Sequence, residues 1–443
     1  MLAENLQIQI MKLKESLLRS NTFFIIWALV ASFGAYFCMY AFRKPFNAGL
    51  YQGLELGEVS YKAVLIISQV AGYTISKFAG IKIISELKAA SRVKMVISLI
   101  LIAEIALLFF GLVPYPYNFV FLFLNGLPLG MVWGVVFSFL EGRKFTEMLA
   151  MGLNISVVVA SGILKTTYLE LHAVFPSISE FWMPFLMGLL FLPLFLLFVW
   201  MLSVIPAPTS EDILLRTARL PMTGDDKRAV MKQFGFPVVC LVFFYATLVV
   251  VRDFRDNFTI EIWNEIEANW GSNVLTATET ITGFIVLFVI GSLAFVRNNL
   301  LGFRLSNLIL LAGITLIGGA TLLFEKNLIN GFYWMLLIGL GLFLAYTVLQ
   351  TVVFERMIAL FRIKANAGFF VYICESIGYM GSVALLLYKE FFLKELSWSQ
   401  VLMQFSYVQF GIGLVMLLLS NIYFERVRAN SLRYDDKSSL AAI

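Results

Sequence analysis

Long apolar runs recur along the whole chain, and short polar segments separate them. A helix needs about 20 consecutive apolar residues to span a bilayer. About twelve runs of this kind are present, and they start near Phe23, Ala63, Val93, Phe119, Leu149, Phe181, Phe236, Leu275, Leu305, Phe332, Ala367 and Val401. The runs are continuous, whereas the strands of a membrane β-barrel alternate apolar and polar positions. The pattern therefore predicts an all-α integral membrane protein with twelve transmembrane helices.

The polar segments divide these runs into two groups of six. The longest interruption contains Pro206, Pro208 and several charged side chains, which is typical of a linker. We therefore predict an amphipathic or cytoplasmic segment at 1–20, a six-helix bundle at 21–204, a cytoplasmic linker at 205–232, a second six-helix bundle at 233–423 and a cytoplasmic tail at 424–443. Two bundles joined in this way are typical of secondary transporters.

The distribution of Lys and Arg indicates the orientation of the chain in the membrane. Cytoplasmic loops of membrane proteins carry an excess of these residues. With the N-terminus inside, most Lys and Arg side chains fall in the predicted inside segments, for example Lys88, Arg92 and Arg228. The sequence therefore predicts that both termini are cytoplasmic. We expect a multi-pass protein of the cell membrane, either an inner or a plasma membrane.

The composition agrees with this class of protein. Of the 443 residues, 60% are hydrophobic and 14% are charged, whereas soluble domains hold about 45–50% apolar and about 25% charged residues. A soluble enzyme and a disordered chain are thereby excluded. The net charge of +5 is spread between apolar runs, so nucleic acid is not expected as a partner. The three cysteines lie in apolar runs and are interpreted as buried hydrophobic side chains.

One polar feature is repeated in the first helix of each predicted bundle. Tyr36 precedes Arg43 by seven residues, and Tyr245 precedes Arg252 by the same interval. Positions i and i+7 share a helix face, and Tyr40 adds a third member to the first stripe. Because a guanidinium group binds two oxygens at once, two such arginines between the bundles predict a clamp for phosphate or carboxylate. The alternative is that both arginines lie at the outer helix ends and reach the lipid headgroups.

Other ionisable residues within the predicted spans are further candidates, because burying a charge in a membrane is costly. Lys165 lies on a polar stripe of its helix and either faces a cavity or reaches the outer surface. Glu375, and more weakly Glu279, are candidates for charge pairing or for carrying a proton. Glu104 is interpreted as a helix-packing residue or is left unexplained. A cytoplasmic gate is predicted at equivalent helix ends of the two bundles, formed by Glu141, Arg143, Glu355 and Arg356.

Several short motifs occur in order along the first predicted bundle. Residues 36–46 read Tyr-x-x-x-Tyr-x-x-Arg-Lys-x-Phe, residues 71–78 include a Tyr followed by Ser-Lys-Phe, and residues 129–133 read Leu-Gly-Met-Val-Trp. In these motifs the chain resembles the organophosphate:phosphate antiporters of the major facilitator superfamily. Arg252 falls where that family places its second phosphate-binding arginine. The resemblance is looser in the second bundle, and the His that the family carries in its fifth helix is absent from residues 154–158.

This resemblance implies a fold of twelve helices that works by alternating access. It also implies that Arg43 and Arg252 hold a phosphate-type anion and that the cavity is lined by Tyr36, Tyr40, Tyr73, Lys77 and Trp133. From its position alone, Lys77 is also compatible with an anchor at the cytoplasmic surface. Together with Tyr245 and Lys165, these residues form the predicted substrate-binding set.

The residues and the resemblance together predict a secondary transporter of a small anionic, phosphorylated solute, with exchange against inorganic phosphate. Two alternatives stay open: a transporter-like membrane receptor for such an anion, and a proton-coupled symporter of a carboxylate or sugar. An enzyme is not expected, because the chain has one His and no Gly-x-Ser-x-Gly motif. We expect no cofactor, no metal and a monomeric protein, with the solute and the lipid bilayer as partners.

Overall fold

The computed structural model describes residues 2–141, 146–209, 212, 224–361 and 367–440, and almost all of them are helical. The first seven helices are α1 (Leu2–Arg19), α2 (Asn21–Ala41), α3 (Tyr61–Ser85), α4 (Arg92–Leu112), α5 (Phe119–Ser138), α6 (Thr146–Val174) and α7 (Met183–Val204). The others are α8 (Gly224–Asn257), α9 (Thr259–Ile266), α10 (Asn273–Ala294), α11 (Asn299–Glu325), α12 (Gly331–Val348), α13 (Phe354–Phe361), α14 (Ala367–Phe392) and α15 (Trp398–Leu440). The connection from α2 to α3 holds a 3-10 turn (Pro45–Ala48) and a hairpin of two strands, β1 (Glu55–Leu56) and β2 (Val59–Ser60).

The chain divides into two compact units. The first unit comprises Met1–Thr217 and Asn269–Gly283, and the second comprises Ala218–Ala268 and Phe284–Ile443. The division therefore passes through α10, whose first half groups with the predicted first bundle. The reason is a close approach to α6, where a Cβ added at Gly162 would lie 2.3 Å from the carbonyl oxygen of Leu275.

Eleven helical segments of the described chain are long and apolar enough to cross a membrane. One of them, Gly331–Phe361, combines α12, a π-helical turn and α13. The predicted run near Ala367 corresponds to α14, a further helix of 26 residues. Large apolar side chains such as Ile105, Phe284 and Phe288 are exposed on the helix surfaces, as expected for side chains in contact with lipid. The chain is therefore an all-α, multi-pass membrane protein.

Glycines bring α3 and α5 into direct backbone contact. A Cβ at Gly126 would lie 2.3 Å from the carbonyl oxygen of Gln69, and a Cβ at Gly130 would lie 2.6 Å from that of Tyr73. Lipid provides no hydrophobic drive for helix association, so close packing at small residues supplies much of the attraction between helices. This crossing fixes the position of Tyr73 in the first unit.

A similar crossing joins α11 and α12 in the second unit. A Cβ at Gly313 would lie 2.7 Å from the carbonyl oxygen of Gly341, and a Cβ at Gly341 would lie 2.4 Å from that of Gly313. Because each glycine faces the backbone of the other helix, neither position accommodates a side chain without moving the helices apart. The crossing positions α12, which carries Tyr346 toward α8.

Helices extend into the segments predicted as linker and tail. α8 begins at Gly224, so residues 224–232 of the predicted linker belong to the first helix of the second unit. α15 continues beyond the last apolar residues to Leu440. Neither extension contains Pro, and Gly occurs in them only at the first residue of α8. The apolar pattern ends there, but the helix-forming tendency of the chain does not.

The connection after Arg43 is tied to the start of α7. The carboxylate of Glu180 accepts hydrogen bonds from the backbone N–H groups of Leu50 (3.0 Å) and Tyr51 (2.9 Å). Burial raises the pKa of Tyr51 well above its usual value, and the nearby Tyr168 and Glu180 act in the same direction. Tyr51 therefore stays a neutral phenol in a closely packed connection.

Candidate functional site

Arg43 and Lys77 form a cationic cluster in the first unit. Arg43 follows the last turn of α2 and is only 7% exposed. Its Cζ lies 3.9 Å from the centre of the Tyr73 ring, and the Nζ of Lys77 lies 5.3 Å from the same centre. Both distances are within the range of cation–π attraction. Tyr73 thus holds two cations near one aromatic ring.

Tyr36 and Tyr40 extend this cluster along α2. Their ring centres are 5.6 Å apart in an edge-to-face arrangement. The Cζ of Arg43 lies 5.7 Å from the centre of the Tyr40 ring. Both tyrosines are buried, so the stripe predicted on α2 lies inside the first unit. Its hydroxyl groups offer neutral hydrogen bonds next to the cations.

Two buried amide side chains hold the backbone from which Arg43 projects. The Nε2 of Gln69 on α3 donates to the carbonyl oxygen of Arg43 (2.9 Å) and to the Oδ1 of Asn125 on α5 (2.8 Å). The Nδ2 of Asn125 donates to the carbonyl oxygens of Phe42 (3.1 Å) and of Ala103 on α4 (3.0 Å). The network therefore joins four elements, from the end of α2 to α5.

These hydrogen bonds meet a general need of helix ends inside a membrane. The last carbonyl groups of a helix have no donor within the helix, and lipid offers none. α2 ends at Ala41, so the carbonyl groups of Phe42 and Arg43 depend on donors from neighbouring helices. Asn125 and Gln69 supply these donors, and they thereby restrict the orientation of the Arg43 backbone.

Arg252 lies in a second cluster, within the second unit. Its Nε and Nη2 both donate to the Oδ1 of Asp253, at 3.1 and 2.8 Å. Its Cζ lies 4.3 Å from the centre of the Tyr346 ring. Arg252 is 8% exposed, so the ion pair and the ring share an environment that is largely shielded from solvent. An aromatic ring therefore faces a guanidinium group in each unit.

Glu375 on α14 is a further hydrogen-bond acceptor of this second cluster. Its Oε1 accepts from the hydroxyl groups of Tyr245 and Tyr346, the latter at 2.8 Å. The two tyrosine rings are 5.0 Å apart. The Oδ2 of Asp253 accepts from the hydroxyl group of Ser382, also on α14, at 3.0 Å. Three helices, α8, α12 and α14, thus share one network of charged and hydroxyl groups.

The described contacts of the two clusters differ. The first contains Arg43 and Lys77 among tyrosines, whereas the second combines Arg252 with the carboxyl groups of Asp253 and Glu375. An arginine that already has a carboxylate partner binds another anion when that carboxylate is displaced. Within the described residues, no group of three or more His, Cys, Asp or Glu side chains is placed to hold a metal ion. The contacts described in the two clusters are cation–π contacts, an ion pair and hydrogen bonds.

Lys165 and Glu279 are buried at a contact between α6 and α10 within the first unit. Lys165 is 1% exposed and Glu279 is 7% exposed. A Cβ at Gly162, one turn before Lys165, would lie 2.7 Å from the Cγ of Glu279. The hydroxyl group of Thr166 donates to the carbonyl oxygen of Ser272, at 2.8 Å. A basic and an acidic side chain are therefore buried along one helix contact.

Trp133 lies beside the crossing of α3 and α5. It follows Gly130 by one turn on α5, is half-buried and stacks on Phe137, with the ring centres 5.0 Å apart. The backbone of α5 meets that of α3 at Gly130, where Tyr73 is located. Trp133 thus lies one turn from the point where α5 meets the backbone of Tyr73, and among the described ring contacts its partner is Phe137.

Three of the four predicted gate residues are described. Glu141, just after α5, and Glu355, at the start of α13, are exposed. Arg356 donates to the carbonyl oxygen of Val296 after α10, at 2.8 Å. This bond holds Arg356 within the second unit, where it caps the end of a helix. Arg143 lies outside the described residues.

Some residues of these clusters were not predicted from the sequence. Asp253 directly follows Arg252, and such a neighbour is a signal for an ion pair. Asn125 is the one amide residue in the apolar sequence of α5, and a polar residue in a span is a candidate by default. Tyr346 offers no comparable signal, because only the fold brings α12 next to α8 and α14.

Solved structures similar to this chain are membrane transporters. A D-xylose-proton symporter aligns with a TM-score of 0.59 and 15% identity, covering 90% of this chain and 97% of that chain. The nucleoside transporter NupG aligns with a TM-score of 0.59 and 13% identity, covering 90% of this chain and 98% of that chain. PepTSo, a transporter of the POT family, aligns with a TM-score of 0.58 and 13% identity, covering 91% and 98%. This likeness shows that the chain has the fold of the major facilitator superfamily.

A family model matches most of the chain. It covers residues 45–427 and has the description "Family of unknown function (DUF5690)". The chain has no significant match among curated proteins. The antiporter branch of the superfamily is therefore indicated only by the motifs of the first bundle and by the position of Arg252.

Proposed function

The chain belongs to the DUF5690 family, and on that premise we propose that it is a secondary transporter of a small anionic, phosphorylated solute. It has twelve transmembrane helices and two cytoplasmic termini, and it works as a monomer in the cell membrane by alternating access. The solute is exchanged for inorganic phosphate.

The cluster around Tyr73 is the observation that carries this proposal. Arg43 and Lys77 both approach one aromatic ring, and Arg43 is buried. Two cations beside one ring repel each other more where the dielectric constant is low. A doubly charged phosphate group matches two cationic side chains at once, and the planar guanidinium group suits two of its oxygens. A neutral sugar or nucleoside gives no such compensation.

Arg252 contributes the second cationic group. Asp253 holds it through two hydrogen bonds to one carboxylate oxygen. An arriving phosphate replaces that carboxylate, while Ser382 keeps a hydrogen bond to the other oxygen of Asp253. Asp253 thus serves as a substitute anion, which lowers the cost of an unoccupied site in the membrane.

The cationic groups of the two clusters favour exchange of the solute for inorganic phosphate. A transporter reorients most readily when its buried charges are compensated, because an uncompensated charge in a membrane is costly. Phosphorylated solute and inorganic phosphate both provide the compensation, so either one supports reorientation. The proposal therefore predicts obligatory exchange, with slow net transport of a single solute.

The structural neighbours are transporters, and this supports a transport function for the chain in general. Those proteins include a nucleoside transporter and a D-xylose-proton symporter. Neither of these proteins is described as a phosphate transporter, so the phosphate class proposed here rests on the residues of this chain.

Counterflow in proteoliposomes tests the class of solute. Vesicles containing the protein are loaded with inorganic phosphate, and uptake of labelled phosphate is measured with external phosphate, glycerol phosphate, sugar phosphates, carboxylates or free sugars as competitors. We expect phosphorylated compounds to compete and the free sugars to have no effect. Competition by free sugars alone would contradict the phosphate class.

The same vesicles distinguish a transporter from a receptor. A receptor for the anion is stabilised thermally by phosphate but gives no counterflow, whereas a transporter shows both effects. Vesicles without protein give the background. Binding without exchange would overturn the proposed transport and leave the anion site in place.

Proton-coupled symport is the second candidate, because the network around Arg252 contains a carboxyl group held by two tyrosines. Glu375 accepts from Tyr245 and Tyr346, and such a group is suited to exchange a proton when Arg252 moves. Uptake that depends on a pH gradient in the wild type, and loses that dependence in Glu375→Gln, would favour symport over exchange.

A further inference from the structure

A second type of site lies away from both clusters, in the middle of α4. Glu104 is 5% exposed, whereas Ile102 and Ile105 beside it are each 53% exposed. The two isoleucines therefore face the lipid, and Glu104 faces the interior of the first unit. A carboxyl group is thus buried within a span and does not belong to either cluster.

The carboxyl group of Glu104 receives no hydrogen bond from the described residues. Both of its oxygens are buried and without a partner. An ionised carboxylate in an apolar environment is stable only with hydrogen-bond donors or a cation nearby. Without them it costs several kcal/mol or more, and the group takes up a proton instead.

The helices that pack against α4 offer no cation. α5 and α7 contain no Asp, Glu, Lys, Arg or His along their whole lengths, and neither does the 3-10 turn Ala89–Ser91. The cations of α4 itself, Arg92 and Lys94, are at its first turn. At about 1.5 Å per residue they lie roughly 15 Å or more from Glu104 along the helix axis.

The carboxyl group of Glu104 occupies the space where a side chain on α7 would lie if Gly188 were another residue. A Cβ at Gly188 would lie 2.0 Å from the Oε2 of Glu104, so the carboxyl group rests directly on the α7 backbone. Further along α7, Pro193 has no N–H group, and the carbonyl of Leu189 loses its usual helical donor. The described backbone thus supplies no hydrogen-bond donor to Glu104, which suits a protonated acid and not a carboxylate.

We propose that Glu104 is a proton-binding site in the membrane-embedded part of the first unit, where it is a neutral carboxylic acid at neutral pH. It is consequently a modification site for a hydrophobic carbodiimide. The inference is independent of the transported solute, because it concerns neither Arg43 nor Arg252.

The modification is an addition reaction without a leaving group. The acid proton moves to one nitrogen of the carbodiimide, and a carboxyl oxygen bonds to its central carbon, which gives an O-acylisourea. The acyl group then moves to the other nitrogen and forms a stable N-acylurea. Nothing is oxidised or reduced, and a site that excludes water and amines favours this rearrangement over hydrolysis.

Labelling followed by peptide mass spectrometry tests the site. The purified full-length protein in lipid nanodiscs is treated at neutral pH with dicyclohexylcarbodiimide, or with a water-soluble carbodiimide and an amine. We expect the hydrophobic reagent to modify Glu104 and the water-soluble reagent to modify the exposed Glu86 but not Glu104. No labelling of Glu104 by the hydrophobic reagent, or equal labelling by the water-soluble one, would overturn the proposal.

Infrared spectroscopy provides a measurement that does not depend on access of a reagent. A protonated carboxyl group has a carbonyl stretch separate from that of a carboxylate, and this band shifts in deuterated water. We expect a band of this kind in the wild type that is lost in Glu104→Gln and kept in Glu86→Gln. Thermal unfolding of both proteins checks that they are equally well folded. If the band were the same in wild type and in Glu104→Gln, the proposal that Glu104 is neutral would be contradicted.

Discussion

Aromatic rings and arginines are paired in each unit. The Cζ of Arg43 lies 3.9 Å from the Tyr73 ring centre, and that of Arg252 lies 4.3 Å from the Tyr346 ring centre. A ring face stabilises a guanidinium group by about 0.5–2 kcal/mol without neutralising its charge. The rings therefore help to hold the two arginines in place and leave them positively charged.

Asn125 is the residue whose change tests how Arg43 is positioned. Asn125→Leu removes the donor to the carbonyl oxygens of Phe42 and Ala103, and a buried unsatisfied group costs about 1–3 kcal/mol. We expect a lower melting temperature and a raised KM for phosphate counterflow, because the Arg43 backbone is no longer held.

Asn421→Leu is the matched control for this variant. The Nδ2 of Asn421 donates mainly to Leu417 on its own helix, at 2.8 Å, so its loss does not affect the end of α2. An unchanged KM in Asn125→Leu, with counterflow still measurable, would show that the amide network does not position Arg43.

Some residues of the site can be predicted from the sequence of a single helix, and others cannot. The spacing of Tyr36, Tyr40 and Arg43 is a property of one helix, so the stripe is readable from the sequence. The contacts of Tyr73 and Tyr346 depend on which helices are neighbours. No periodic pattern along a single helix encodes that choice, and Tyr346 was accordingly missed.

At the scale of helices, glycines decide how closely neighbours approach. The crossing of α3 and α5 depends on Gly126 and Gly130, and that of α11 and α12 on Gly313 and Gly341. Each crossing carries a residue of a candidate cluster, Tyr73 in the first unit and Tyr346 on α12 in the second. Helix packing is thus a condition for both clusters.

Gly126→Ala is expected to destabilise the first unit. Its methyl group would meet the backbone of α3 at Gln69, and overpacking of this kind costs about 1–3 kcal/mol. Gly319→Ala on α11 is the control, because no atom lies within 4 Å of the added group. Thermal unfolding in detergent measures both. We expect a lower melting temperature for Gly126→Ala only, and equal values would contradict the close crossing.

Helix positions are largely predictable from apolar runs, and helix ends are less so. The runs starting near Phe23 and Phe119 match α2 and α5, because a span requires a fixed length of apolar helix. The start of α8 at Gly224 was missed, because a charged helix outside the membrane has no apolar stripe. The two halves of α10 belong to different compact units. This division depends on the packing of α6 at Gly162 against α10 and was also not predicted.

At the scale of the whole molecule, the distribution of charge predicts the orientation. Lys88 lies in a predicted inside segment and Lys326 in a predicted outside segment, and both side chains are exposed. All three native cysteines are buried. Single cysteines at these two positions are therefore readily distinguished with a membrane-impermeant thiol reagent.

We expect Lys326→Cys to react in intact cells and Lys88→Cys to react only after permeabilisation. Positive charges are retained on the cytoplasmic side, which is the physical reason for the difference. The unsubstituted protein serves as the control for background labelling. The reverse pattern would place both termini outside and contradict the proposed orientation.

The central claim is that Arg43 and Arg252 hold a phosphate-type anion during transport. The most direct measurement is phosphate counterflow in proteoliposomes with Arg43→Gln, Arg252→Gln and, as a control, Arg304→Gln, whose side chain is exposed and paired with Glu425. Loss of a charge-assisted hydrogen bond costs about 1.5–3 kcal/mol, so we expect counterflow to fall by roughly 10- to 100-fold in each of the first two variants and to persist in the third. Wild-type counterflow in both Arg43→Gln and Arg252→Gln would contradict the claim.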